Sequence, residues 1–154
     1  MSHVRIIDGP LAAEQALSQV AAPEFGAVVT FYGNVRDNSR GKRVRFLEYD
    51  AYRPMAEKEL AAVADEAEAR WTVRCAILHR LGRVEIGQTS VVIAVASPHR
   101  VDAFEAGRWL MDAIKERVPI WKKEFYEVDH PTPYRGEVRA GWVEGSDVVP
   151  STDD

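Results

Sequence analysis

Three short stretches of this chain bring together residue types that can do chemistry. The densest is Lys115-Glu116-Arg117-Val118-Pro119-Ile120-Trp121-Lys122-Lys123-Glu124, where four cations fall within nine residues but are interrupted by a proline, two aliphatic residues and an indole. An evenly solvated charge run has no such apolar interleaving. A lysine against an apolar wall, with a second cation close by, is disfavoured as the ammonium ion, and its amine becomes available as a base or nucleophile. The same lysines would equally suit a helix C-terminus, where the dipole favours cations. Residue types alone leave both roles open.

The second stretch is Ala94-Val95-Ala96-Ser97-Pro98-His99-Arg100, in which an apolar run ends in Ser-Pro and presents a histidine and an arginine just before a helix. Free N–H groups and the positive dipole end at a helix start suit a phosphate, and an arginine can hold two of its oxygens at once. A capping and surface role for the pair is the competing reading. The third is Phe31-Tyr32-Gly33-Asn34-Val35-Arg36 running into the polar loop Asp37-Asn38-Ser39-Arg40-Gly41-Lys42. A strand end followed by a basic loop can receive an anion, although a basic hairpin is often no more than a solvated surface.

Several familiar sites are missing. Cys75 is the only cysteine and sits within Val73-Arg74-Cys75-Ala76-Ile77-Leu78, which reads as core rather than nucleophile. The four histidines, His3, His79, His99 and His130, have no metal-ligand spacing, and no metal or cofactor is expected. The phosphate-cradling GxxxxGK[ST], the dinucleotide GxGxxG and the nucleophile elbow GxSxG are all absent from the sequence. The chain supplies cations and proton-transfer groups but no evident sulfur nucleophile.

These groups need elements to hold them. Strands are expected at Val4–Ile7, Gly26–Tyr32, Arg43–Tyr49, Val73–His79 and Thr89–Ser97, each rich in β-branched or aromatic residues and bounded by turn formers. A helix should begin near Pro54 and bury Leu60, Val63, Ala64, Ala67 and Trp71, which recur at three- and four-residue steps. Phe104, Gly107, Met111, Ile114 and Val118 repeat that spacing in a second long helix, and a weaker helix spans Pro10–Val20. Pro119 must stop the second long helix, because its ring clashes with the preceding turn.

Composition fits one compact domain. With 154 residues, 46% of them hydrophobic, the chain can close a core without metals or disulfides. The balance of 20 Lys plus Arg against 24 Asp plus Glu gives −4, which implies neither wholesale nucleic-acid binding nor attraction to a membrane. A single cysteine and no signal-like or membrane-length apolar run point to the cytoplasm. The domain is expected over residues 1–144, with 145–154 a frayed or disordered tail of Gly, Ser, Pro and aspartates.

In order and spacing, several segments resemble the molybdopterin synthase large-subunit family: Gly26 to Arg36, Leu47-Glu48-Tyr49-Asp50-Ala51-Tyr52, His79-Arg80-Leu81-Gly82, Ser97-Pro98-His99-Arg100 followed by Ala103-Phe104, and Lys115 to Glu124 with its Pro-Ile-Trp-Lys-Lys-Glu centre. The likeness implies an α+β fold of the α/β hammerhead type, with an antiparallel sheet and two long helices in a single domain. It also implies a homodimer within a heterotetramer, each large subunit binding a small ubiquitin-like sulfur carrier. The carrier's C-terminal Gly-Gly thiocarboxylate delivers sulfur to cyclic pyranopterin monophosphate. By position in the motif the family's essential lysines fall on Lys115 and Lys122, and Arg36, His99 and Arg100 match its anion-binding positions. After Glu124 the match weakens, so no further arginine is assigned to Arg135 or Arg139, and Trp142 is expected to be a packing anchor.

Two other classes of function fit the same residues. One is a lyase in which a desolvated lysine forms a Schiff base with a phosphorylated carbonyl substrate. The other is a non-catalytic RNA-binding or assembly module using the basic loop from Arg36 to Arg45.

Overall fold

The computed structural model of the chain describes residues 3–127 and the strand at 138–143, the latter without its side chains. The tail expected at 145–154, the position of Arg135 and the packing of the Trp142 side chain lie outside the described residues. The elements in order are β1 (His3–Asp8), α1 (Ala13–Val20), β2 (Ala27–Asn34), β3 (Asn38–Ser39), β4 (Lys42–Ala51), α2 (Arg53–Arg70), β5 (Arg74–Glu85), β6 (Thr89–Ser97), α3 (Arg100–Arg117), β7 (Ile120–Glu127) and β8 (Val138–Val143).

One long strand organises them. The sheet runs β2-β6-β5-β4-β7-β8, with every neighbouring pair antiparallel. β5 changes partners along its length: Arg74 to His79 pair with β6, while only Gly82 to Glu85 pair with β4. The edge that β4 leaves vacant along Ala76 to Leu81 is taken by β1, which runs parallel. The antiparallel expectation therefore holds for every long pairing except this one. Gly82, at φ +86, sits where β5 passes from one set of partners to the other, a backbone angle that glycine adopts without steric cost.

The core follows from which faces are covered. α2 and α3 pack on Ile6, Cys75, Ile77, Leu81, Val91, Ile93 and Val95, and α1 covers the opposite face at Ala76, Leu78, Val92, Ala94 and Ala96. Because both faces are covered, the central strands read as continuous apolar runs rather than alternating ones. A third, smaller cluster of Val35, Val44, Leu47 and Val84 lies under the β4 half of the sheet. Full burial of a side chain such as Leu60 or Leu110, both 0% exposed, contributes roughly 1.5–3 kcal/mol over leaving it in water.

α2 starts as expected, with Pro54 in its first turn and Ala56, Leu60, Val63, Ala64 and Ala67 buried. In α3 and at its C-cap, Gly107, Ile114 and Val118 are buried as expected and Met111 is half-buried, but Phe104 is 62% exposed, and Ala103, Ala106, Leu110 and Ala113 complete the buried face. The small residues Ala103, Ala106, Gly107 and Ala113 on that face let the helix lie close on the sheet, where a Cβ at Gly107 would already touch Val29 and Val95. Pro119 ends the helix. The Val118 N–H still donates to the Ile114 carbonyl at 3.0 Å, and the chain then reverses directly into β7. No helix among the described residues is long and apolar enough to cross a membrane.

Candidate functional site

Lys115 stands in the last turn of α3, half-buried beside Ile114 and Val118, which belong to the main core. Lys122 is half-buried on β7, directly opposite Tyr49 of β4. Seven residues separate the two lysines around the Pro119 corner, a path of at most about 18 Å given helical and extended rises per residue. They therefore flank the same corner of the fold.

Strand alternation sorts the rest of the cationic motif. Lys122 and Glu124 share one face of β7, and Lys123 takes the other. There Lys123 lies 5.5 Å over the Phe125 ring, which stacks on Phe46 at 4.3 Å. Arg117 is engaged with Glu66 of α2 at 2.6 Å, a bond that raises its pKa further. Four cations close in sequence thus have different surroundings: Arg117 is exposed, and Lys115, Lys122 and Lys123 are half-buried.

Tyr49 ends an expected strand and lies in one of the family-like segments, but nothing in the sequence assigns it a role of its own. It lies directly opposite both Lys122 on β7 and Gly82 on β5, and its ring meets that of His79 edge-on at 5.3 Å. His79 is 6% exposed, and its Nδ1–H donates to the Arg80 carbonyl at 3.0 Å. Burial lowers its pKa to about 4, so near neutral pH the ring is uncharged. Glu124 is also buried, and its carboxylate accepts the Ser39 hydroxyl hydrogen at 2.8 Å. That bond ties the basic hairpin, which turns through Arg40 and Gly41 at positive φ, to the strand carrying Lys122.

Arg36 follows β2 and is exposed. The preceding Val35 packs with Leu47 and Val84 and is bonded through both backbone groups to the β5–β6 turn, its N–H to the Gln88 carbonyl at 2.9 Å and its carbonyl to the Gly87 N–H at 2.8 Å. Leu47 is opposite Glu124, so Arg36 leaves the fold from the same half of the sheet as Lys122.

The His99-Arg100 turn does not join them within one chain. His99 is the N-cap of α3 and Arg100 its first residue, both exposed, and the His99 N–H donates to the Ser97 hydroxyl at 3.4 Å. Lys115 lies fifteen residues further along the same helix, about 22 Å away at 1.5 Å per residue. Near the turn Val101 and Phe104 on α3 and Val28 on β2 are exposed, and Phe31 and Tyr32 continue the exposed apolar row further along β2. Among the described residues β2 pairs only with β6, so its outer edge is unoccupied.

Cys75 is fully buried, and its thiol donates to the Ala64 carbonyl at 3.5 Å. Burial, with the carboxylates of Glu68 and Asp65 adding to it, pushes its pKa up to about 12. Such a thiol is neither a nucleophile nor a ready metal ligand. Among the described residues no three His, Cys, Asp or Glu side chains gather as a metal centre would need.

A family model described as "MoaE protein" matches residues 6–117. The molybdopterin synthase catalytic subunit of Halalkalibacterium halodurans is 50% identical over 123 residues, 79% of each chain. In the crystal structure of molybdopterin synthase from Staphylococcus aureus, a chain 40% identical superposes with a TM-score of 0.82, over 93% of this chain and 98% of that one. A complex of subunits 1 and 2 of the molybdopterin-converting factor from Helicobacter pylori contains a chain 26% identical, at a TM-score of 0.64 over 79% of this chain and 83% of that one.

Proposed function

The chain belongs to the MoaE protein family, whose members include molybdopterin synthase catalytic subunits, and we propose that it moves sulfur from the C-terminal Gly-Gly thiocarboxylate of a small ubiquitin-like carrier onto cyclic pyranopterin monophosphate, forming the dithiolene of molybdopterin. Lys115 and Lys122 are the catalytic residues in this reading. Lys115 transfers protons at the reacting carbon or accepts the carrier's acyl group transiently, and Lys122 stabilises developing negative charge or relays protons. Arg36, His99 and Arg100 hold the substrate phosphate.

The observation that carries the reading is the state of the sole cysteine. With Cys75 sealed in the core and its thiol held protonated, the sulfur must arrive on another molecule, and a carrier thiocarboxylate is one that two lysines can work on. The setting we propose is the cytosol, where a lone thiol stays reduced.

The 22 Å of helix between Arg100 and Lys115 gives the homodimer a chemical purpose. A second copy docked along the exposed apolar edge of β2 and the start of α3 would bring its own His99 and Arg100 to this chain's Lys115, Lys122 and Arg36. With one carrier on each large subunit the assembly is a heterotetramer.

The test is reconstitution with thiocarboxylated Gly-Gly carrier and cyclic pyranopterin monophosphate. Dithiolene should form, and Lys115→Ala should lower its rate by at least about a hundredfold, the lower range for a lost proton-transfer group, with an unchanged thermal melt. Full activity in that variant would refute the assignment. A borohydride-trapped lysine adduct formed without any carrier would instead favour the lyase reading.

A further inference from the structure

The His79-Arg80-Leu81-Gly82 stretch has no role in the reading above, yet the hydrogen bonds of Arg80 lead towards Arg36. The β2–β6 ladder slips between Gly33 and Asn34, so the strand that should present Arg36 loses its regular support two residues early. The β5–β6 turn supplies a substitute by bonding both backbone groups of Val35, through Gln88 at 2.9 Å and Gly87 at 2.8 Å. The backbone that leads into Arg36 is therefore held by that turn.

Arg80 and Gln88 hold the turn. The Gln88 side-chain oxygen accepts the Glu85 N–H at 3.0 Å and an Arg80 terminal N–H at 3.3 Å, while the other terminal nitrogen of Arg80 donates to the Arg83 carbonyl at 2.9 Å. A guanidinium spans two acceptors as a rigid fork, which an ammonium on a flexible stem cannot do. The Arg80 Nε is buried with no hydrogen-bond partner among the described residues, so the two terminal nitrogens alone fix the head group.

We propose that Arg80 and Gln88 are positioning residues for Arg36, fixing the β5–β6 turn so that the Arg36 guanidinium meets the substrate phosphate. The fork fixes the turn, the turn fixes Val35, and Val35 aims its neighbour. The inference rests on the reading of Arg36 as an anion-binding residue.

The experiment measures steady-state sulfur transfer with saturating thiocarboxylated carrier and varied pterin substrate. Arg36→Ala should raise KM by about tenfold or more, as expected for losing a charged hydrogen-bond donor. Gln88→Ala, at an exposed turn residue, and Arg80→Lys should each raise KM by about fivefold with kcat near wild type, the scale of one lost hydrogen bond. Gln88→Glu keeps the acceptor oxygen and should return KM towards wild type, and Arg36→Ala with Gln88→Ala should be no worse than Arg36→Ala alone. If Arg36→Ala raises KM but Gln88→Ala and Arg80→Lys do not, or if they lower kcat instead, the positioning role is overturned and the anion role stands. If Arg36→Ala leaves KM unchanged, the anion role and the positioning role fall together.

Discussion

Two buried side chains, Cys75 and His79, show how burial holds a titratable group in its neutral form. Cys75→Ala should keep full sulfur transfer, because a fully buried thiol bonded to the Ala64 carbonyl has no access to substrate. Its cost should be confined to stability, on the order of 1–2 kcal/mol for a small core truncation, read as a lower denaturant midpoint. His79 has a pH signature. In the unfolded chain it takes up a proton near pH 6.5, but the buried ring does not until about pH 4. Its contribution to stability is whole above pH 6.5 and is lost as pH falls from there towards 4, by roughly 1.4 kcal/mol per unit and about 2 kcal/mol at pH 5. Urea titrations at pH 7 and pH 5 should show this loss, and His79→Gln, which cannot charge, should lose less over the same interval. Equal slopes for the two proteins would remove His79 as the cause.

At the scale of elements, β5 and the α3–β7 corner decide the architecture. Gly82→Ala meets no atom within 4 Å, so its penalty is that of the +86° backbone angle alone, about 1–2 kcal/mol. A fall of several degrees in Tm should accompany it, and an unchanged melt would mean that β5 crosses between its partners without needing that angle. Sequence patterning placed the central elements well: β6 is found at Thr89–Ser97 as expected, and α2 begins at its proline. β7 was legible only as a cationic motif, because Ile120-Trp121-Lys122-Lys123-Glu124-Phe125-Tyr126-Glu127 does not alternate apolar with polar. Its strand character comes from pairing with β4 and β8, long-range contacts that no local window contains. The exposure of Phe104 has a similar origin, since only the sheet beneath α3 decides how far its buried face extends around the helix.

The whole molecule, as one chain, leaves the proposed site in two parts. If the His99-Arg100 turn of one copy completes the lysine corner of the other, Lys115→Ala and the double variant His99→Ala/Arg100→Ala should each be inactive alone. Co-refolded or co-expressed, they should recover activity, because a mixed dimer holds one site with both sets intact. Absence of recovery, with mixed dimers demonstrated by differential tagging, would overturn the shared site. The unpaired β2 edge with Val28, Phe31 and Tyr32 exposed is the surface whose protection from hydrogen exchange should rise with dimer concentration.

The sequence by itself determined the kinds of chemistry on offer: amines and guanidinium groups, a single thiol within an apolar run, and a proline that had to break a helix. These follow from side-chain type and local backbone sterics, which do not depend on distant neighbours. Only the tertiary structure decided that Lys122 and Lys123 face opposite ways, that Tyr49 and His79 stand behind Lys122, and that Arg36 is aimed through Val35 by the β5–β6 turn. It also set the His99-Arg100 turn a full helix away from the lysines. Each of these is fixed by strand register or helix length acting between residues far apart in sequence, where pairing and burial, rather than propensity, set the geometry.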